Sequence, residues 1–457
     1  MPFSDLPNEV IHLILGPAVR ARGFQRAVRL RLVNRAWNIA IEDAIFDSGI
    51  LDKDNLINRT GRDVDVSFWQ RYLVYRALHN KKPSSTRLAV IRQIAERIVE
   101  MRGFGLDGSQ EVLRECVGEL CHAAFVFRAV YGHLGTYVAS EAEPIARLDQ
   151  GSSQFQQALL TAAAYMNDLD VGRQVLSLRA DHSRPDNIKM QCTLGYLVDP
   201  YPVAAYRGNV EFISLLLANE PESTIQGSKH RATIAYNAIW GNQMGVLDLA
   251  LGPSFGTGSP DFMALREPLV SGLSRIPSID IFHRCFDLVK DHLQYPSRPY
   301  NGIHRQKWLI ERFHSAAERG EVAVMEYLAQ LGAPINGNFG DEEDGFCKPI
   351  SLAALNGHES AVEWLLDQGA DLNRSLQAAA THGSRRIVQV LLDRGALNDM
   401  CVVQKALLEA VKVENEELFR FLVERGAVVD KSTMKEAREI AEDEQLESMV
   451  EFIKGYF

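Results

Sequence analysis

Apolar positions along this chain recur at helical rather than strand spacing. In Glu359–Gly369, Val362, Leu365 and Leu366 fall at i, i+3 and i+4, the stripe of an amphipathic helix. The same spacing runs through 322–332, 385–395 and 416–426, and each stretch follows a shorter, Ala-rich one: FHSAAERG to Gly320, ISLAALNG to Gly357, AAATHG to Gly383 and LLEAVKVE to Glu414. Twelve residues separate the end of each short stretch from the glycine that closes the long one, at Gly332, Gly369, Gly395 and Gly426, and an alanine follows each of these glycines. The pattern predicts a unit of two helices, the second closed by glycine in the left-handed conformation that such a cap needs. Small Ala353 and Ala354 let paired helices approach closely. One helix pair cannot bury its own apolar face, so the units must stack.

Upstream the pattern weakens but persists. Val203–Leu217 is a good copy, with Pro202 ahead of it, and Gly241 lies 33 residues after Gly208. Leu159–Leu176 and Leu269–Val289 are degenerate copies, and Glu436–Ile453 reads as a closing helix pair with an acidic outer face. Copies therefore run from about 155 to 453, some eight of them, with insertions at 218–232, 252–266, 291–307 and 335–348. The pattern resembles the ankyrin repeat most clearly at Lys348-Pro-Ile-Ser-Leu-Ala-Ala354, beside that family's T-P-L-H-x-A-A. Pro349 would start a first helix, where its missing N–H costs nothing. Gly369-Ala-Asp-Leu-Asn373 is also typical of the family, and the resemblance is specific over 309–430.

Residues 3–46 are not a repeat. Ser4 or Asp5 would cap a helix with Pro7 in its first turn and apolar residues at Val10, Ile11, Ile14 and Leu15. A second helix spans Ala27–Trp37, and a third runs from Ile39 to about Ile45. The start L-P-x-E-V-I followed by L-R-L-V-N-R-A-W resembles the F-box, whose three helices form a platform for a SKP-type adaptor tied to a cullin ubiquitin ligase. The resemblance implies that Leu6, Pro7, Val10, Ile11, Ile14, Leu15, Leu30, Leu32, Val33 and Trp37 are core or adaptor-facing. This chain departs from the family in a longer link, Gly16–Gln25. Between 50 and 150, helical period is clear in 66–78, 87–99 and 112–130.

The expected fold is therefore all-α: an F-box-like domain over 1–48, a helical linker over 49–150 that includes a degenerate first repeat in one reading, and an ankyrin-type α-solenoid with short hairpin loops over 151–457. The 457 residues carry 46% hydrophobic side chains, enough for a core. The formal charge of −10, from 49 basic and 59 acidic residues, argues against a general nucleic-acid or acidic-membrane binder. Asp5 and Glu9 stand where a secretory leader would be basic, no run of about 18 apolar residues occurs, and six scattered cysteines do not form a secreted disulfide framework. The expected location is cytoplasmic or nuclear.

Chemistry-bearing motifs are few. Gly103-Phe-Gly-Leu-Asp-Gly108 matches a dinucleotide fingerprint, but a helix rather than a strand precedes it, so a loop is expected. Cys116, Cys121 and His122 fall short of a four-ligand zinc set and read as packed side chains on a helix. Asp341–Gly345 lacks the alternation of a calcium loop and reads as an acidic hairpin tip. His314 and His382 are expected to bond within their own repeats. The arginines at 20, 22, 26, 29, 31 and 35 form a basic cluster, a solvated face or a feature that steers an acidic adaptor. No catalytic residue, cofactor or metal is expected, so the chain is not expected to be an enzyme.

The expected function is substrate recognition in a SKP/cullin/F-box-type ubiquitin ligase, with a protein substrate held on the repeats. The family's binding face points to Glu318, Arg319 and Asn356 on first helices, and to Asn338, Asp341, Asn373, Arg374 and Asn398 on the tips. The alternative is a repeat scaffold with no ubiquitin link, whose first residues only cap the stack.

Overall fold

The structure is a computed structural model that describes residues 8–22, 35–48, 51, 66–79, 86–104, 109–127, 149–178, 197, 199–219, 228–252, 262–290, 305–337, 348–372 and 374–455. All regular structure among them is helical, with no strand. The chain divides into two compact units, Met1–Pro260 and Asp261–Phe457. That boundary falls inside the region expected to be one array, at its 252–266 insertion.

The first unit begins with α1 (Asn8–Arg22), which packs against α2 (Arg35–Ser48). Two expectations are corrected here. The link expected from Gly16 does not begin there, because α1 continues through Gly16 and Pro17. A proline inside a helix removes one hydrogen bond, but Ile11, Leu15 and Val19, spaced four apart, are all buried and hold both halves of the helix to the core. Nor does the chain break between Trp37 and Ile39: residues 35–48 form one helix, in a stretch that contains neither Gly nor Pro to stop it. The rest of the expected second helix, and Leu6, Pro7, Leu30, Leu32 and Val33, lie outside the described residues.

Next come α3 (Val66–His79), α4 (Thr86–Met101) and α5 (Ser109–Val126), a mutually packed trio close to the spans that periodicity predicts. Helix α2 is fastened to α3. Phe46 is buried among Phe68, Tyr72 and Tyr75, with ring centroids 5.3–5.6 Å away. Arg71 grips both carboxylate oxygens of Glu42, at 2.5 and 3.1 Å.

Three helix pairs complete this unit: α6 (Ser153–Met166) with α7 (Leu169–Leu178), α8 (Pro200–Arg207) with α9 (Val210–Ala218), and α10 (Ser228–Trp240) with α11 (Met244–Leu251). The second unit holds six more: α12 (Phe262–Leu273) with α13 (Ile279–Val289), α14 (Arg305–Arg319) with α15 (Val322–Gln330), α16 (Pro349–Leu355) with α17 (Glu359–Asp367), α18 (Ser375–His382) with α19 (Arg385–Asp393), α20 (Met400–Lys412) with α21 (Glu416–Glu424), and α22 (Lys431–Asp443) with α23 (Glu447–Gly455). First helices stack on first helices, as α6, α8 and α10 do in the first unit and α14, α16, α18, α20 and α22 in the second, and second helices stack on second from α7 to α11 and from α13 to α19. Val362, Leu365 and Leu366 are buried on α17, as are Ile387, Val388, Leu391 and Leu392 on α19. Each such side chain contributes about 1.5–3 kcal/mol relative to exposure.

One backbone device recurs between the two helices of a pair. The connection passes through a residue with positive φ, namely Asn167, Gly208, Asn242, Ile276, Gly320, Gly357, Gly383, Glu414 and Gln445 in the nine pairs among the described residues. In eight of them the next N–H donates to the carbonyl of an alanine five residues back: Ala163, Ala204, Ala238, Ala316, Ala353, Ala379, Ala410 and Ala441. This bond satisfies a carbonyl that a helix end would otherwise orphan. The exception follows Ile276, where the next residue is Pro277, which has no N–H to give.

Candidate protein-binding surfaces

Helix α1 is apolar on two sides. Ile11, Leu15 and Val19 face the core, whereas Val10, Leu13, Ile14 and Pro17 are exposed, Leu13 by 75%. The exposed set falls at i, i+3, i+4 and i+7, one continuous stripe. Ile39 on α2 is 67% exposed. Of the residues expected to face an adaptor, Val10 and Ile14 therefore lie on open surface, while Ile11 and Leu15 are committed to the chain's own core. Trp37 lies on α2, and its side chain is outside the described residues. Leu13 and Pro17, not singled out in the sequence, belong to the stripe; the i+3 and i+7 spacing from Val10 was the signal. Arg20 continues the exposed side of α1.

Along the second unit the expected contact residues separate into two rows. Glu318, Arg319 and Asn356 are exposed at the C-terminal ends of α14 and α16. Half-buried Arg374 precedes α18, and exposed Asn398 closes a 3-10 turn (Ala396–Asn398) ahead of α20. These two lie at the opposite ends of first helices. At 1.5 Å per residue, a helix of the length of α18 puts the rows about 12 Å apart, so the five do not form one patch. Asn338, Asp341 and Asn373 are outside the described residues.

Several of these groups already have internal duties. The Arg319 guanidinium donates to the Arg275 carbonyl, and Asn356 Nδ2 donates to the Leu352 carbonyl at 2.9 Å. The Glu318 carbonyl accepts from His358 Nε2 at 2.9 Å. His382 corrects the expectation of a bond within its own repeat: its Nδ1 donates to the Leu355 carbonyl of the preceding pair at 3.0 Å. A carbonyl can only accept, which fixes the proton on that nitrogen. His314 does bond within its own helix, Nδ1 to the Ile310 carbonyl at 2.7 Å. In the first unit Asn209 plays the same bridging part, donating to the Ala164 carbonyl at 2.7 Å.

Sequence reading also missed what happens four residues after three of the closing glycines, Gly332, Gly395 and Gly426. Asn336 accepts from the Asp371 N–H at 2.9 Å, joining adjacent hairpins. Asp399 caps α20, and Asp430 caps α22, its carboxyl held down to about 2 by the Thr433 N–H and then by the Thr433 and Ser432 hydroxyls. The recurring G-A-x-x-N/D spacing was the available signal, and it marks loop fasteners.

No group of three or more side chains suited to a metal occurs among the described residues. Cys116 and Cys121 are buried, and burial pushes both thiols up. His122 contacts the Tyr165 hydroxyl at 2.7 Å. Burial, followed by the Arg207 cation, lowers the His122 pKa against the opposing pull of Glu119. Gly103 ends α4 with φ +74 and no strand before it. No described helix is long and apolar enough to cross a membrane.

Residues 350–392, which cover α16 to α19, match the family of ankyrin repeats. The chain contains ankyrin repeats. Similar proteins carry them too: the ankyrin repeat and KH domain-containing protein mask-1 of Caenorhabditis elegans is 33% identical over 129 residues. The ankyrin repeat and KH domain-containing protein CBG24701 of Caenorhabditis briggsae is 30% identical over 126. Each match spans 26% of this chain and 4% of the relative's length. Ankyrin repeats point to protein–protein interaction as the role of these matched helix pairs.

Proposed function

We propose that this chain is the substrate-recognition adaptor of a SKP/cullin/F-box-type ubiquitin ligase, gripping a SKP-type adaptor with α1 and a protein substrate with its ankyrin repeats. The observation that carries this reading is the second apolar side of α1: Val10, Leu13, Ile14 and Pro17 stand exposed on a helix whose other side is already buried. A contiguous apolar stripe of this kind marks an interaction site rather than ordinary surface. Its place agrees with the L-P-x-E-V-I resemblance at the same helix. The chain would supply proximity and no covalent chemistry, raising the effective concentration of one partner near the other.

The test is co-purification from cells with a SKP-type adaptor. Wild-type chain should recover adaptor and cullin. Ile14→Asp, which places a charge on the stripe without touching the core, should lose both while the chain stays soluble. Recovery of equal adaptor by both proteins, or by neither, would remove the ubiquitin-ligase reading.

A second reading, an ankyrin scaffold with no ubiquitin link, draws on the fastening of α2. Burial of Phe46 against α3 and the Glu42–Arg71 pair make the front helices part of the first unit's packing, as a cap would be. On this reading Ile14→Asp changes no partner.

A further inference from the structure

We infer that α12 is a detachable strap on the second unit: the turn joining it to α13 is strained, and the Arg319 side chain of α14 is the latch that keeps it closed. The inference does not depend on the ubiquitin-ligase reading. The strain sits at Ile276, whose φ is +49, in the left-handed region where a Cβ crowds the following carbonyl. Glycine or asparagine, which tolerate that conformation, fills the equivalent position in six of the other eight described pairs. Isoleucine is β-branched and is the residue of the nine least suited to it. Pro277 follows, and its ring favours extended backbone in the residue before it. Two preferences of the chain therefore oppose the conformation that Ile276 adopts. The side chain is only 4% exposed, so burial pins the residue where its backbone preference would not.

The two helices that this turn joins are held unequally. Helix α12 carries Pro268 in its interior, which removes the N–H that would bond the Ala264 carbonyl. No other first helix of the second unit has a proline beyond its first turn. Helix α13 is anchored to the next pair by rings: Phe286 lies 5.7 Å from Trp308 of α14, and Phe282 lies 6.1 Å from Tyr327 of α15. Opening at Ile276 therefore frees α12 and leaves α13 in place. Against that tendency, the Arg319 guanidinium reaches from α14 to the Arg275 carbonyl, one residue before the strained position. Release uncovers the apolar stripe Leu265, Leu269 and Leu273, all buried while the strap is closed. Local opening of this kind is drawn from the least stable parts of a fold, and stacked helix pairs allow one to open while the others stay closed.

The test is native-state hydrogen exchange of the 457-residue chain, read by mass spectrometry on peptides from α12, α13 and α18. In wild type, α12 amides should exchange at least tenfold faster than those of α18, and faster than those of α13. Pro277→Ala, which lifts the restriction on Ile276 and restores an N–H to the turn, should slow exchange in α12 at least threefold. Arg319→Ala, which removes the latch, should speed it at least threefold and leave α18 unchanged. The two variants are expected to move α12 in opposite directions, so a general loss of stability cannot imitate both. Equal protection of α12 and α18 in wild type, no slowing by Pro277→Ala, or an Arg319→Ala effect that is absent or equal in all three helices would each overturn the inference.

Discussion

Carbonyl oxygens at the ends of first helices tie neighbouring helix pairs together. Those of Tyr165, Glu318 and Leu355 each accept from a side chain one pair further on: Asn209, His358 and His382. The donors need room, and glycine provides it. A Cβ on Gly357 would stand 2.3 Å from His382 Nε2, on a residue whose φ is +77. Gly357→Ala should therefore destabilise the second unit by about 1–3 kcal/mol, the cost of a strained backbone with a displaced partner. His358→Ala should cost less, about 0.5–1.5 kcal/mol, because water replaces the lost bond to Glu318. Urea unfolding followed by tryptophan fluorescence checks both; a smaller effect for Gly357→Ala than for His358→Ala would contradict this ranking. His122 supplies a pH-dependent effect in the first unit. Its folded pKa lies below its usual 6.5 because burial disfavours the charged ring. The unfolded chain therefore takes up the proton first as pH falls. The stabilisation from a neutral His122 is whole above about pH 6.5 and is lost as pH drops below it. Between pH 7.5 and 5.5, wild type should lose more of its urea midpoint than His122→Gln does; parallel losses would show that His122 does not carry the effect.

At the level of elements, the two sides of α1 should respond differently to truncation. Leu15 is 2% exposed and Ile14 47%. Leu15→Ala should cost about 2–5 kcal/mol, the price of a core cavity, whereas Ile14→Ala should fall within about 0.5 kcal/mol of wild type. Thermal melts of both variants decide it, and equal losses would show that the stripe is buried in solution. Much of this level was legible in the sequence. Helical period located α3, α4 and α5, and the paired glycines located α14 through α19, because a positive-φ position is visible when glycine fills it. The same position was hidden where Asn167, Asn242, Ile276 or Gln445 fills it, since a non-glycine residue leaves no mark unless, as at Glu414, the twelve-residue spacing to a closing glycine reveals it. The continuous α2 was misread because the reading ended a helix at Trp37 and began another at Ile39, where the chain has no stop residue. The inter-pair bond of His382 was unreadable, since it depends on which carbonyl the stack brings near, a tertiary fact. On α1, periodicity gave one apolar group, Val10, Ile11, Ile14 and Leu15, but not its division between core and open surface; that required the packing of α2.

At the scale of the molecule, both units leave surface among the described residues that their own packing does not use. In Met1–Pro260 it is the stripe on α1, whose neighbour α2 is fixed to α3 by Phe46 and Glu42. The stripe is thus presented by a packed body rather than by a free arm. In Asp261–Phe457 it is the two rows of polar groups at opposite ends of the first helices, several of which also serve as fasteners. Deleting residues 1–46 would expose Phe68 and Tyr72 as well as remove the stripe, so deletion confounds docking with stability and point changes on the stripe do not. The most direct measurement is calorimetric titration of the purified 457-residue chain with a purified SKP-type adaptor, repeated with Leu13→Asp/Ile14→Asp. One-to-one binding by wild type, abolished in the double variant at an unchanged melting temperature, is the predicted result. Absence of heat with wild type, or the same affinity in the double variant, would contradict the bridging account.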